Sequence, residues 1–475
     1  MEAGIRVKRI TNQDEKFEWM TTAPLPGLIG TLAVPTIVSM MITSIYNMAD
    51  TFFVGRIGTS AQGAVGVVFS LMAIIQALGF TFGSGAGNYI SRLLGRKDRA
   101  LASRVAATGF FSALGVGVAL AVLGLVFLDP LVRLLGATDT ILPYAKDYAR
   151  YILLGAPYMA ASLVLNNLLR YQGSAFYSML GIATGAVLNI ALDPIFIFVL
   201  DLKTGGAALA TILSQLVSFL ILLSSCGRGG TLRIRPSHFT FSWPVYREIF
   251  RGGLPSLYRQ GLASVATICL NRAAGPFGDA AIAAMSVVTR VSMFANSALL
   301  GFGQGFQPVC GFNFGARLYG RVRRGYFFCL KLSAVFLAAV AVLGFLFAPQ
   351  IIAVFRREDP AVIAIGAQAL RFQCFTLPLS SLIILNNMML QTVGEAGKAS
   401  VLALARQGLF FLPAILLLPS AAGLAGVQLA QPAADLCTFL LSVPMGLGFL
   451  RKMRGMEAAQ PLPKPDNIVY TDKDV

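Results

Sequence analysis

Asp50 and Asp193 stand inside long apolar stretches of a chain that otherwise keeps nearly all its charge in short loops. A carboxylate at bilayer depth costs roughly 2.5–3.5 kcal/mol on insertion scales, so such a residue is a functional position by default. Asn189 lies one helical turn before Asp193, which stacks the two on one face. Both acids fall toward the same side of the membrane, in its outer third, and Thr211 in the next apolar stretch reaches a comparable level. Two carboxylates, an amide and a hydroxyl at one depth suit a proton or a desolvated Na⁺. Neighbouring acids titrate as a unit. Protonation removes charge and lets the surrounding wall repack, whereas deprotonation draws in water or a cation. The competing reading makes each acid a helix cap satisfied by backbone amides, and Asp193 before Pro194 suits that role.

The elements that hold these residues must be membrane helices. The 475 residues are 56% hydrophobic and 12% charged, against about 25% charged in soluble domains. Apolar runs of bilayer length recur at about 28–54, 64–91, 105–128, 148–169, 177–200, 205–225, 252–271, 280–314, 327–348, 361–390, 399–418 and 423–450. The alternating pattern of a membrane β-barrel is absent. The fold class is therefore all-α and polytopic, with twelve transmembrane helices.

Charge sets the orientation. Formal net charge is +17, and most Lys and Arg occupy the two tails and the loops after even-numbered spans. The positive-inside rule then places both termini in the cytoplasm of a plasma (bacterial inner) membrane. The clusters Arg92/Arg96/Lys97/Arg99/Arg104, Arg228/Arg233/Arg235 and Arg317/Arg321/Arg323/Arg324 read as topology signals and contacts to anionic lipid, and not as a nucleic-acid surface. No cleaved signal sequence is recognisable. The six cysteines are scattered without a CxxC pair, and the only histidine, His238, falls in a loop. No nucleophile–base pair, metal cluster or phosphate loop is present, so an enzyme or a cofactor is not expected.

A shift of 220 residues superposes the two halves. It pairs Pro35 with Pro255, Gly55 with Gly275, Phe82-Gly83-x-Gly85 with Phe302-Gly303-x-Gly305, Gly95 with Gly315, and Leu165-Asn166-Asn167 with Leu385-Asn386-Asn387. Six spans is an even number, so the halves are parallel repeats about an axis along the membrane normal, with a central cavity between them. The expected organisation is a cytoplasmic segment 1–27, an N-lobe 28–225, a basic linker 226–251, a C-lobe 252–450 and a disordered tail 451–475. One chain carries both lobes, so a monomer is expected. The glycines at 83, 85, 303, 305 and 315 suit close helix approach. Leu270 occupies the slot paired with Asp50, so the second half has no twin of that acid. Asp435 and the span arginines Arg259, Arg290, Arg371 and Arg406 read best as snorkelling or paired across helices.

The segments LAVPTIVSMMITSIYNMADTFFVG, LNIALDPIFIF and GFGQGFQPVCGFNFGA resemble the multidrug and toxic compound extrusion (MATE) family, over roughly residues 25–450. The resemblance implies an antiporter that exports organic, often cationic, compounds in exchange for H⁺ or Na⁺. In the branch similar to DNA-damage-inducible protein F, the cation site maps onto Asp50, Asn189, Asp193 and Thr211. The same branch implies cavity residues at Tyr46, Tyr148 and Asn166 and a bending proline at Pro35. An additional acid of some sodium-binding relatives falls on Met40, which favours H⁺. The alternative from the same superfamily is a flippase for lipid-linked saccharides, which would line its cavity with several arginines or lysines.

Overall fold

The computed structural model describes residues 12–57, 59–228, 231–355 and 359–459. Among the described residues every regular element is helical. A short helix α1 (Gln13–Thr22) opens the chain, its first turn capped by Asn12 Oδ1, which accepts from Glu15 N–H at 2.8 Å. The N-lobe follows with α2 (Leu25–Gly55), α3 (Thr59–Gly95), α4 (Arg99–Val126), α5 (Leu128–Leu134), α6 (Leu142–Tyr171), α7 (Ala175–Pro194) and α8 (Lys203–Ser225). The C-lobe holds α9 (Trp243–Ala274), α10 (Asp279–Gly315), α11 (Tyr319–Leu346), α12 (Ala348–Phe355), α13 (Pro360–Thr376), α14 (Leu379–Val393), α15 (Ala396–Leu404), α16 (Phe411–Ala422) and α17 (Leu424–Ala458).

Local sequence explains the breaks. Asp98 caps α4 by accepting from Leu101 N–H at 3.1 Å, and Asp359 caps α13 just ahead of Pro360. Gly394 ends α14 at φ 92°, a left-handed conformation that favours glycine. Pro378 separates α13 from α14, whose axes bend by 56°, so the single span expected over 361–390 is a broken one. The short helices α5 and α12 were not separated by the apolar pattern, yet they start at Leu128 and Ala348, the same 220-residue shift apart.

Among the described residues, ten helices are long and apolar enough to cross a membrane, and the bent α13–α14 pair makes an eleventh. The remaining expected span, 252–271, lies within α9. That helix has 32 residues, but Arg259, Gln260, Asn271 and Arg272 make it too polar to count by composition alone. Two boundaries also move. Helix α9 begins at Trp243, inside the expected linker, and α17 continues to Ala458, so the start of the expected disordered tail is helical. Residues 1–11 and 460–475 of the two expected end segments lie outside the described residues.

Among the described residues, three large apolar cores define the architecture, with a small fourth around Leu299, Leu337, Ile384 and Met388. One contains residues of both lobes, among them Ala33, Phe82, Leu165, Ile249, Phe306 and Phe449, and lies at the end that carries the basic loops. At the far end each lobe has a core of its own, around Leu71, Ile152 and Ala208 in one and Val288, Leu370 and Phe411 in the other. The lobes are thus joined at the basic end and separate at the far end, as in a V.

Glycine makes the join possible. A Cβ on Gly85 would strike the Ile249 carbonyl, one on Gly253 the Thr81 carbonyl, and one on Gly305 the Ala33 backbone. Gly95 and Gly315, paired by the repeat, meet each other across the seam. Helix α1 lies beneath: Asn313 Nδ2 donates to Met20 O at 3.0 Å, Arg321 Nη2 donates to Ala23 O at 2.7 Å, and Asp14 pairs with Arg99. Several basic-loop arginines are therefore also held by protein groups. Arg92 pairs with Glu248 at 3.0 Å and Arg323 with Glu457 at 2.7 Å.

Candidate functional site

Near the end of α2, Asp50 faces the last turns of α7, where Asn189 and Asp193 lie, and the first half of α8, which supplies Thr211. Pro194 cannot donate a backbone N–H, and the chain beyond it relaxes into a π-helical turn over Ile195–Val199, closed by Leu200 N–H donating to Ile195 O at 2.9 Å. Pi turns of this kind recur at functional sites.

Asp193 and Thr211 are both 0% exposed and Asn189 is 1% exposed. With the Asn189 nitrogen turned toward the acid, Nδ2 donates to Asp193 Oδ2 at 3.1 Å and the amide oxygen accepts from Thr211 N–H at 3.3 Å. The reverse orientation would set an amide oxygen against a carboxylate, two acceptors facing each other. Thr211 Oγ1 donates to Ala207 O at 3.0 Å. The two acids act electrostatically on each other, and both act on Tyr46 and Tyr148, which also face Thr211. Asp50 Oδ1 and Asp193 Oδ1 are buried with no hydrogen-bond partner. Buried polar oxygens are nearly always satisfied, so two orphans on neighbouring acids are a chemically suited place for a proton or a cation to bind.

The structure thus brings together Asp50, Asn189, Asp193, Thr211, Tyr46 and Tyr148. Asn166 is elsewhere: 18 residues beyond Tyr148 on α6, it is about 27 Å along the helix axis at 1.5 Å per residue. Its amide donates to Ser178 Oγ at 2.6 Å. Pro35 sits within α2, toward the joined end, where it leaves the Thr31 carbonyl without the usual helical donor.

The C-lobe handles charge differently. Arg406 Nε donates to Asp435 Oδ1 at 2.8 Å, and Gln431 Nε2 donates to the same oxygen at 3.0 Å. Arg371 stacks over the Phe345 ring at 5.6 Å, and Arg290 is exposed. Arg170 escaped the sequence reading because it falls just past the apolar run 148–169. The structure carries α6 to Tyr171 and leaves Arg170 only 2% exposed. An arginine flanked by Asn167 at the end of an apolar run was the available signal.

The MatE family model matches residues 35–195 and again 255–416, once per lobe. The chain belongs to the MATE family. It is a multi-pass membrane transporter and not an enzyme. Multidrug export protein MepA of Staphylococcus haemolyticus (strain JCSC1435) is 28% identical over 434 residues, covering 90% of this chain and 95% of that protein. A solved structure described as the outward-facing conformation of a multidrug resistance MATE family transporter of the MOP superfamily is similar with a TM-score of 0.85. It is 28% identical and covers 92% of this chain and 99% of that one. A MATE crystal structure in the bent conformation is similar with a TM-score of 0.86 at 28% identity, covering 94% and 99%.

Proposed function

We propose that this MATE protein is a cation-coupled antiporter that exports organic, often cationic, compounds by alternating access of its two lobes. The observation that carries the reading is the pair of orphan carboxylate oxygens on Asp50 and Asp193. The multidrug export names of its relatives supply the substrate class. The basic end faces the cytoplasm, by the positive-inside rule, so the V opens outward. In that state the acid pair takes H⁺ or Na⁺ from outside, with Asn189 and Thr211 completing the site. Neutralised acids attract a cationic substrate less, so it leaves. The lobes then rock inward, the cation is released to the cytoplasm, and new substrate binds. Met40 at the additional acid position favours H⁺.

One charge moving inward gains about 2.3 kcal/mol per 100 mV. That sustains a substrate gradient of about fiftyfold when the exchange moves one net charge. The flippase alternative is weakened, since Arg406 is neutralised by Asp435 and Arg371 is held over the Phe345 ring. Inverted vesicles test the reading. An imposed cation gradient is expected to drive uptake of a fluorescent organic cation, and Asp50→Asn and Asp193→Asn are each expected to abolish that drive. Gradient-driven uptake that survives both substitutions refutes the coupling.

A further inference from the structure

Two arginines near the floor of the cleft are treated unlike the others. Arg92 and Arg406 each pair with a carboxylate, at 3.0 and 2.8 Å. Arg170 on α6 and Arg259 on α9 have no carboxylate within ion-pair distance among the described residues. Arg170 Nη1 donates to Gln304 Oε1 of the opposite lobe at 2.5 Å and Nη2 donates to Asn167 Oδ1 at 2.7 Å. Its Nε is buried with no partner. Arg259 Nη1 reaches Asn387 Oδ1 at 3.5 Å, and it is half-buried, so one side of it meets open space. The titratable groups that act on Arg259 are Tyr171 and Arg170. The guanidinium of Arg170 lies over the Tyr171 ring at 5.1 Å.

Two positive charges that act on each other at membrane depth are therefore met only by neutral amide oxygens and a phenol. Retaining one uncompensated buried charge costs several kcal/mol, and a second like charge beside it adds repulsion. A guanidinium fork matches the two oxygens of a carboxylate or phosphate. We propose that Arg170 and Arg259 form an oxyanion site at the lobe seam, which takes the carboxylate or phosphate of a ligand lying in the cleft. Arg259 presents the open face, Arg170 with its unused Nε–H stands behind it, and Gln304 and Asn387 hold the pair in place. The inference rests on the export reading in one respect, that the oxyanion belongs to a transported compound.

The test is binding to the purified full chain in phosphatidylcholine nanodiscs, using fluorescent dansylglycine and its methyl ester. The acid is expected to bind about tenfold more tightly than the ester, the size of one charge-assisted hydrogen bond. Arg259→Gln and Arg170→Gln are each expected to remove that preference, and Arg259→Lys to keep part of it. Elution as a single species checks each fold, and the less buried Arg259 remains informative where Arg170→Gln does not fold. Competition by inorganic phosphate supports a free solute as the oxyanion source. Competition by added phosphatidylglycerol, with phosphate inert, supports a lipid head group in the same site. Equal binding of acid and ester, or a preference that survives both glutamine variants, overturns the proposal. Loss of cation drive in the Asp50 and Asp193 assay is scored separately, so either idea can fail alone.

Discussion

The two lobes share a repeat but treat buried acids in opposite ways. In the C-lobe, Asp435 is locked to Arg406 at 2.8 Å, with Gln431 as a further donor. In the N-lobe, Asp193 has one amide donor, while its second oxygen and Asp50 Oδ1 have none. A carboxylate already satisfied by a guanidinium has little to gain from a proton or Na⁺. An unsatisfied one has much to gain. The repeat thus supplies two scaffolds: on the proposed function, the satisfied acid is structural and the unsatisfied pair is the exchangeable one.

The sharpest way to break this contrast is to neutralise acids in both lobes and compare cation-driven transport. Asp50→Asn or Asp193→Asn is expected to stop it, whereas Asp435→Asn is expected to leave the cation dependence unchanged. A loss of drive in the Asp435 variant of equal size would erase the distinction.

Stability should show the reverse order. Arg406→Ala strands Asp435 at depth and is expected to cost about 3–5 kcal/mol. That would appear as a clear drop in the melting temperature of purified protein. The double change Arg406→Met with Asp435→Leu is expected to recover most of it. No difference between single and double variants would mean the pair carries little charge at this depth.

A smaller effect should follow from Thr211→Val, which keeps shape and removes one oxygen from the acid pocket. It is expected to weaken the apparent affinity for the coupling cation by about tenfold, the worth of one hydrogen bond to a charged group, with maximal rate preserved. A full loss of transport would instead place Thr211 among the obligatory groups.

The mildest prediction concerns the joined end. Burial lowers the Lys16 ammonium in α1 from its usual value to about 7. The unfolded or undocked lysine holds its proton up to about pH 10, so the docked state binds fewer protons between about 7 and 10. Docking of α1 should therefore strengthen as pH rises from 7 through this window. Hydrogen-exchange protection of α1, corrected for intrinsic rates, is expected to increase between pH 6 and pH 8.5. Protection that falls over this range would reverse the assigned sign.

Much of this organisation was readable beforehand. Bilayer-length apolar runs mark most helices because a membrane demands internally bonded backbone, and the 220-residue shift marks the lobes. The convergence of Asp50, Asn189, Asp193 and Thr211 followed from helix direction and depth alone. Asn166, which the resemblance assigns to the cavity and not to the cation site, lies apart from them on α6. Arg170 was hidden for another reason: its partner Gln304 is distant in sequence and in the other lobe, and no local pattern announces such a contact. Helix α9 blurred because Arg259 and Gln260 near its middle are partly buried while Asn271 and Arg272 at its end are exposed, so mean hydropathy is a poor guide to it.

The meeting of Gly95 with Gly315 has a mechanical consequence. Where two helices touch through bare peptide, no rotamers interlock, so separation at that point requires no side chain to be withdrawn from a socket. At that one point the contact is backbone dispersion alone, while the side chains of the shared core hold the rest of the seam. Such a contact can be made and unmade many times along one path, with the same registry at each return.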